Sequence, residues 1–214
     1  LSALWASLRP FGLAGAKKHR NGMDKTSFFF YNSNNYETGV EEKPMNEKLV
    51  NEAISGSKEA FCTLYGQYKD KLYRYALYKL GDPDDAEDAV SECVLAAWKS
   101  IGSLRSAEAF GSWIFRILSN CCASRIKAMV AARDNLERVY NEGPGSAGSI
   151  SAPASLSVEL TEALSQLKDE ERDVVLLSII GGLNSNEVAA LTGLSPGGVR
   201  SKLSRSLAKM REFL

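Results

Sequence analysis

From Met45 onward, apolar positions recur at helical spacing, and residue types that stop or start helices fall between the runs. Phe61, Tyr65, Tyr68, Leu72 and Tyr75 follow one another at steps of four and three, which places them on one face of a helix. That aromatic stripe is read as core rather than as a platform for stacking bases. A short helix is expected over 46–55, ended by Gly56. Ser57 can cap the next helix, which should run to Leu80 and stop at Gly81. Asp82-Pro83 opens a third helix, reaching about Ser100, with its acids in the first turns where the helix dipole favours them. A loop over 102–107 follows. A long helix is expected over 109–139, with Trp113, Ile114, Ile117 and Leu118 turned inward.

The pattern breaks at 141–157. Gly, Ser, Ala and Pro dominate there without apolar periodicity, as in a flexible linker. Beyond it, fewer than sixty residues hold signals for four more helices, and no stretch reads as a strand. The expected fold is therefore all-α, with two small helical domains over 45–140 and 158–214. Residues 1–44 look unlike the rest. Their bases, Lys17, Lys18 and Arg20, follow a weak apolar stretch instead of preceding it, the wrong order for a secretory leader. They are read as a disordered or non-native extension.

The segment 184–207 reads as a helix-turn-helix. Asn184 and Glu187 have capping-box spacing, and Ala189 is small enough for two helices to approach. Gly193 stands where the turn needs a left-handed backbone. Ser195 can cap the second helix, and Pro196 suits its first position. That helix then carries Arg200, Ser201, Lys202 and Arg205. A recognition helix enters the major groove by its N-terminal part, where such side chains read guanine edges or neutralise phosphate.

Charge sharpens this picture. Formal net charge is zero, with 26 bases and 26 acids, but the charges are segregated. Six acids and no base lie from Asp82 to Trp98. Four bases and no acid lie from Gly111 to Arg133, and five bases and no acid from Ser195 to Arg211. Such blocks suggest one acidic and one basic partner surface. Cys62, Cys93, Cys121 and Cys122 form no Cys-x-x-Cys pair, and His19 is the only histidine. Neither a metal site nor a disulfide framework is signalled, and idle thiols in a reducing compartment are expected. No apolar run approaches the ~20 residues a membrane span needs. There is no Gly-rich phosphate loop and no histidine beside a nucleophile, so no catalytic residues and no cofactor are expected.

Three motifs together resemble the extracytoplasmic-function group of bacterial sigma factors. Asp85-Ala86-Glu87-Asp88-Ala89-Val90-Ser91-Glu92 through Ala97-Trp98 is similar to that family's polymerase-docking helix. Phe110-Gly111-Ser112-Trp113-Ile114-Phe115-Arg116-Ile117-Leu118-Ser119-Asn120 is similar to its promoter-melting segment. Leu194-Ser195-Pro196-Gly197-Gly198-Val199-Arg200-Ser201-Lys202-Leu203 is similar to its upstream-element recognition helix. The likeness covers Met45 to the C-terminus. It departs at Ser91, where glutamine is common, at Gly198, where threonine is common, and at Thr192, where a core leucine is usual.

The resemblance implies a cytoplasmic, non-enzymatic transcription initiation subunit. Its partners would be core RNA polymerase, promoter DNA and an anti-sigma factor. Asp85, Asp88 and Glu92 would bind the basic clamp helices of the polymerase. The loop from Ser103 to Ala109, with Ser103 and Arg105, would capture a flipped base of the downstream (minus-10) element. Asn120 would contact promoter DNA there, and Arg116, Arg125 and Lys127 would hold the backbone. Arg200, Ser201, Lys202 and Arg205 would read the upstream (minus-35) element. Trp113 is assigned to the core. The alternative is a stand-alone helix-turn-helix regulator, which explains the C-terminal motif but not the acidic helix or the Trp113 segment.

Overall fold

The computed structural model describes residues 47–139 and 158–213. Among the described residues every regular element is helical. Helix α1 spans Glu47–Ile54 and α2 spans Lys58–Leu80. The Ser57 hydroxyl accepts from the Ala60 amide at 3.2 Å and Gly81 closes α2 in the left-handed conformation, as the sequence predicts. Helix α3 spans Pro83–Ser100, and the Asp82 carboxylate caps it by accepting from the Asp84 and Asp85 amides. Two 3-10 turns, Ile101–Ser103 and Ala107–Ala109, lead into α4, Phe110–Val139.

These helices close around one apolar centre. Phe61, Leu72, Tyr75, Ala89, Cys93, Ile114, Phe115 and Leu118 are essentially inaccessible. Edge-on ring pairs, Phe61 with Trp98 at 5.2 Å, Tyr68 with Phe110 at 5.3 Å and Tyr75 with Phe115 at 5.7 Å, lock α2 against α3 and α4. Each fully buried large apolar side chain contributes roughly 1.5–3 kcal/mol. Of the aromatic stripe, Phe61, Leu72 and Tyr75 are thus core, while Tyr65 and Tyr68 pack half-buried against it. Trp113 and Ile117 are only half-buried, and Trp113 leans on Phe110 at the rim of the core. Cys93 and Cys122 are buried. Burial pushes the Cys122 thiol up to about 12 and raises Cys93 as well, so neither offers a thiolate near neutral pH.

The C-terminal unit comprises α5 (Val158–Ser165), α6 (Asp169–Val175), α7 (Ser185–Thr192) and α8 (Pro196–Arg211). Its core includes Leu164, Val174, Val175, Leu176, Val188, Val199 and Met210. Helix α6 continues into a π-helical turn, Leu176–Ile180, which apolar periodicity does not reveal. Gly181 ends that turn. A Cβ there would lie 2.4 Å from the Leu177 carbonyl oxygen, so the position needs glycine.

The segments 1–44 and 141–157, read as an extension and a linker, lie outside the described residues. The two helical units touch, which the sequence does not announce. Lys79 at the end of α2 meets the Asp173 carboxylate of α6 at 2.5 Å, and α2 packs on the π-helical turn.

Candidate functional site

Two charged faces stand out. The first is on α3. Asp85, Asp88 and Glu92 are spaced by three and four residues, which aligns them along one side of the helix. The other side, with Ala86, Ala89, Val90, Cys93 and Ala97, is buried. A single cation holds the three acids. Arg125 of α4 reaches Asp85 at 2.9 Å, Glu92 at 3.0 Å and Asp88 at 3.1 Å. Asp88 and Glu92 remain more than half exposed at 69% and 55%, whereas Arg125 is 20% exposed. Burial alone would pull the Arg125 pKa down. The hydrogen bonds from Glu92 and Asp85, with the nearby Asp88 charge, outweigh it and hold the guanidinium above its ordinary value.

The second face belongs to the helix-turn-helix. The Asn184 side chain accepts from the Asn186 and Glu187 amides, while Glu187 accepts from the Asn184 amide at 2.8 Å, completing the capping box. Gly193 makes the turn at φ 74°. The Ser195 hydroxyl then accepts from the Gly198 amide at 3.1 Å and starts α8. Val199, Leu207 and Met210 bury the inner side of α8. Arg200, Ser201 and Arg205 are exposed; Arg200 donates to the Ser185 hydroxyl at 3.2 Å and Arg205 to the Ser201 carbonyl at 3.2 Å.

Lys202 lies differently. It flanks the core stripe of α8 and meets Glu170 of α6 at 2.5 Å, while Lys209, two turns on, meets Glu171 at 3.1 Å. The Lys202 hydrogen bond lowers the Glu170 pKa. The Lys168 amide and then Lys209 lower that of Glu171. These acids were missed by the sequence reading. Their signal is the acidic first turn of α6, Asp169, Glu170 and Glu171, matched against lysines seven apart on α8.

The remaining expected contacts lie on α4 and on the turns that lead into it. Arg116, Asn120 and Lys127 are exposed on α4. Steps of four and seven set them on one side of that helix. Arg125 is off that side. It continues the buried series Ile114, Leu118 and Cys122 toward α3, which is why it meets acids instead of solvent. Arg116 also lies 3.5 Å from the Ala190 carbonyl of α7. Ser103 sits at the end of the first 3-10 turn and donates to the Ser100 carbonyl at 2.6 Å. Arg105 is exposed in the extended link between the two turns, and Ser106 donates to Glu108 just beyond it. Thr192, in place of an apolar residue, is half-buried, and its hydroxyl donates to the Val188 carbonyl at 2.8 Å.

Known proteins resemble this arrangement in both halves. The family model for sigma-70 region 2 matches residues 64–129, and that for sigma-70, region 4 matches residues 157–210. The ECF RNA polymerase sigma factor BldN of Streptomyces coelicolor is 30% identical over 173 residues, 78% of this chain and 65% of BldN. This chain thus spans just under two thirds of BldN's length. The ECF RNA polymerase sigma factor SigW of Bacillus subtilis is 27% identical over 183 residues, 79% of this chain and 97% of SigW. Among solved structures, CnrH in complex with the cytosolic domain of CnrY is 26% identical. The match has a TM-score of 0.59 and covers 78% of this chain and 96% of CnrH. The sigma factor RpoE from Bartonella quintana, solved with the anti-sigma factor NepR, shares the fold, with a TM-score of 0.60 at 22% identity over 72% of this chain and 96% of that one.

Both regions occur in one chain, in this order, each on its own helical unit. The chain therefore belongs to the sigma-70 family of RNA polymerase sigma factors. Within it, the chain is a member of the extracytoplasmic-function group. A stand-alone helix-turn-helix regulator is not favoured, because it leaves the region 2 match without a purpose.

Proposed function

We propose that this chain docks on core RNA polymerase through the acidic side of α3 and carries the enzyme to promoters through α4 and α8. The observation that supports this most is the joint presence of an exposed acid stripe and a capped, basic helix-turn-helix on separate units. In this reading residues 45–140 form the docking and promoter-melting domain, 141–157 the linker and 158–214 the upstream-element domain. Asp85, Asp88 and Glu92 face basic polymerase helices, where complementary charge speeds encounter and rejects wrong partners. Ser103, Arg105 and Asn120 engage the downstream element, with Arg116 and Lys127 on its backbone. An amide suits a base edge because it both donates and accepts. Arg200, Ser201 and Arg205 read the upstream element.

The protein supplies position and not chemistry. Polymerase performs the nucleotidyl transfer, and capture of unstacked bases offsets part of the cost of melting. Two short elements read by tethered domains combine through effective concentration, so neither domain must bind tightly alone. Action alongside polymerase places the protein in the cytoplasm. Among the described residues no helix is long and apolar enough to cross a membrane. CnrH was solved with the cytosolic domain of CnrY, and this supports a comparable protein partner, an anti-sigma factor covering the docking surfaces.

Affinity capture of core polymerase by the tagged full chain tests this function. Stoichiometric core subunits are the expected result. A protein that shifts duplex DNA by itself and captures no polymerase would be a regulator instead.

A further inference from the structure

The geometry points to Arg125 as a positioning residue for polymerase docking, holding Asp85, Asp88 and Glu92 in the arrangement that the partner meets. The inference rests on the reading that these acids dock on polymerase. Three carboxylates along one side of a helix repel one another, and like charges at such spacing destabilise the helix and spread the side chains. Arg125 opposes this from the neighbouring helix. One Nη reaches Asp85 and the other is shared by Asp88 and Glu92, all within 3.1 Å. Its Nε is buried without a hydrogen-bond partner, so the guanidinium is committed to the acids by its outer nitrogens alone.

Two consequences follow. A planar guanidinium spreads its donors across several carboxylates, whereas a lysine ammonium acts as a point charge. The three acids are then fixed before polymerase arrives, and less side-chain freedom is lost on binding. Asp88 and Glu92 nonetheless stay largely exposed, free to accept further hydrogen bonds from a basic partner. Three carboxylates against one guanidinium also leave the face acidic. Arg125 shares α4 with Arg116 and Asn120, so it ties the docking stripe to the helix proposed to meet promoter DNA.

The test uses the full chain and purified core polymerase, with association and dissociation rates measured across a salt series. Arg125→Gln is expected to dissociate about tenfold faster, because acids no longer held in place lose the pre-organisation that favours the bound state, and such interface changes appear mainly in dissociation. Its association should become more salt-dependent, because the face gains a net negative charge. Mere loss of fold would not steepen that slope. Arg125→Lys keeps the charge, so its salt dependence should match the wild type while its dissociation stays faster. Wild-type dissociation from Arg125→Lys would overturn the inference, and this variant decides the matter if the glutamine variant does not fold. Asp88→Asn with Glu92→Gln separates the two claims. Unchanged binding there removes the docking reading itself, whereas lost binding there with wild-type kinetics in both Arg125 variants removes only the role of Arg125.

Discussion

The two units treat their opposite charges differently. On the N-terminal unit one arginine serves three acids, leaving a surplus of negative charge on α3. On the C-terminal unit two acids of α6 each take one lysine of α8, and the arginines of α8 keep the outward surface. Both pairings fasten one helix to another, but the first concentrates a field and the second trims one. A block of like charge along a sequence therefore overstates the partner surface. Some of its members are turned inward, and the helix register decides which.

The largest expected effect comes from reversing the surplus. Asp88→Lys with Glu92→Lys turns attraction into repulsion, and core-polymerase affinity should fall by about a hundredfold or more, since each mispaired charge costs several kcal/mol. Helix content by circular dichroism should be largely kept, because Asp85 still pairs with Arg125 and both changed side chains lie at the surface. Intact core binding would break the comparison at its acidic end.

On the basic side, Arg200→Ala and Arg205→Ala should each weaken upstream-element binding by ~1–3 kcal/mol if the side chain reads a base. A side chain that touches only phosphate weakens all sequences alike and lowers the salt slope by about one. Competition binding against scrambled duplexes distinguishes the two. Lys202→Ala sharpens the contrast. Its ammonium is held by Glu170 at the surface, so its loss should lower stability only slightly and cost less DNA affinity than loss of Arg200.

The smallest effect is on pH dependence. Glu170 and Glu171 are held below their ordinary range in the folded protein. Their contribution is complete above the unfolded carboxylate pKa and is lost as pH falls through the lower folded value. Acidification should therefore loosen α8 from α6, and thermal melts of Glu170→Gln with Glu171→Gln should show a shallower acid dependence. An unchanged dependence would mean that these pairs do little for the C-terminal unit.

Much of this was legible in the chain. Ser57, Gly81, Asp82, Asn184, Gly193 and Ser195 mark helix ends because caps are local, needing only a few neighbouring residues. The shared face of the aromatic stripe followed from period, with Phe61, Leu72 and Tyr75 buried and Tyr65 and Tyr68 at its edge. The partners of Arg125 and Lys202 were not read, because each lies on another helix, 33 to 40 residues away for Arg125 and 32 for Lys202. Charge type assigned both to DNA, whereas register sets each beside the acids of another helix. Arg125 extends the series Ile114, Leu118, Cys122, and Lys202 stands three residues from buried Val199. The π-helical turn and the Lys79–Asp173 contact between units depend on tertiary packing and leave no periodic trace.

Run-off transcription with purified core polymerase on genomic promoter fragments tests the central claim most directly, because it requires the acidic and basic faces to work in one chain. Core alone should yield no discrete product. Added full-length protein should give defined transcripts, which Asp88→Lys with Glu92→Lys abolishes at any promoter and Arg200→Ala with Arg205→Ala reduces according to the upstream sequence. Absence of any discrete transcript from fragments spanning the genome, despite stable binding to core, would contradict the account.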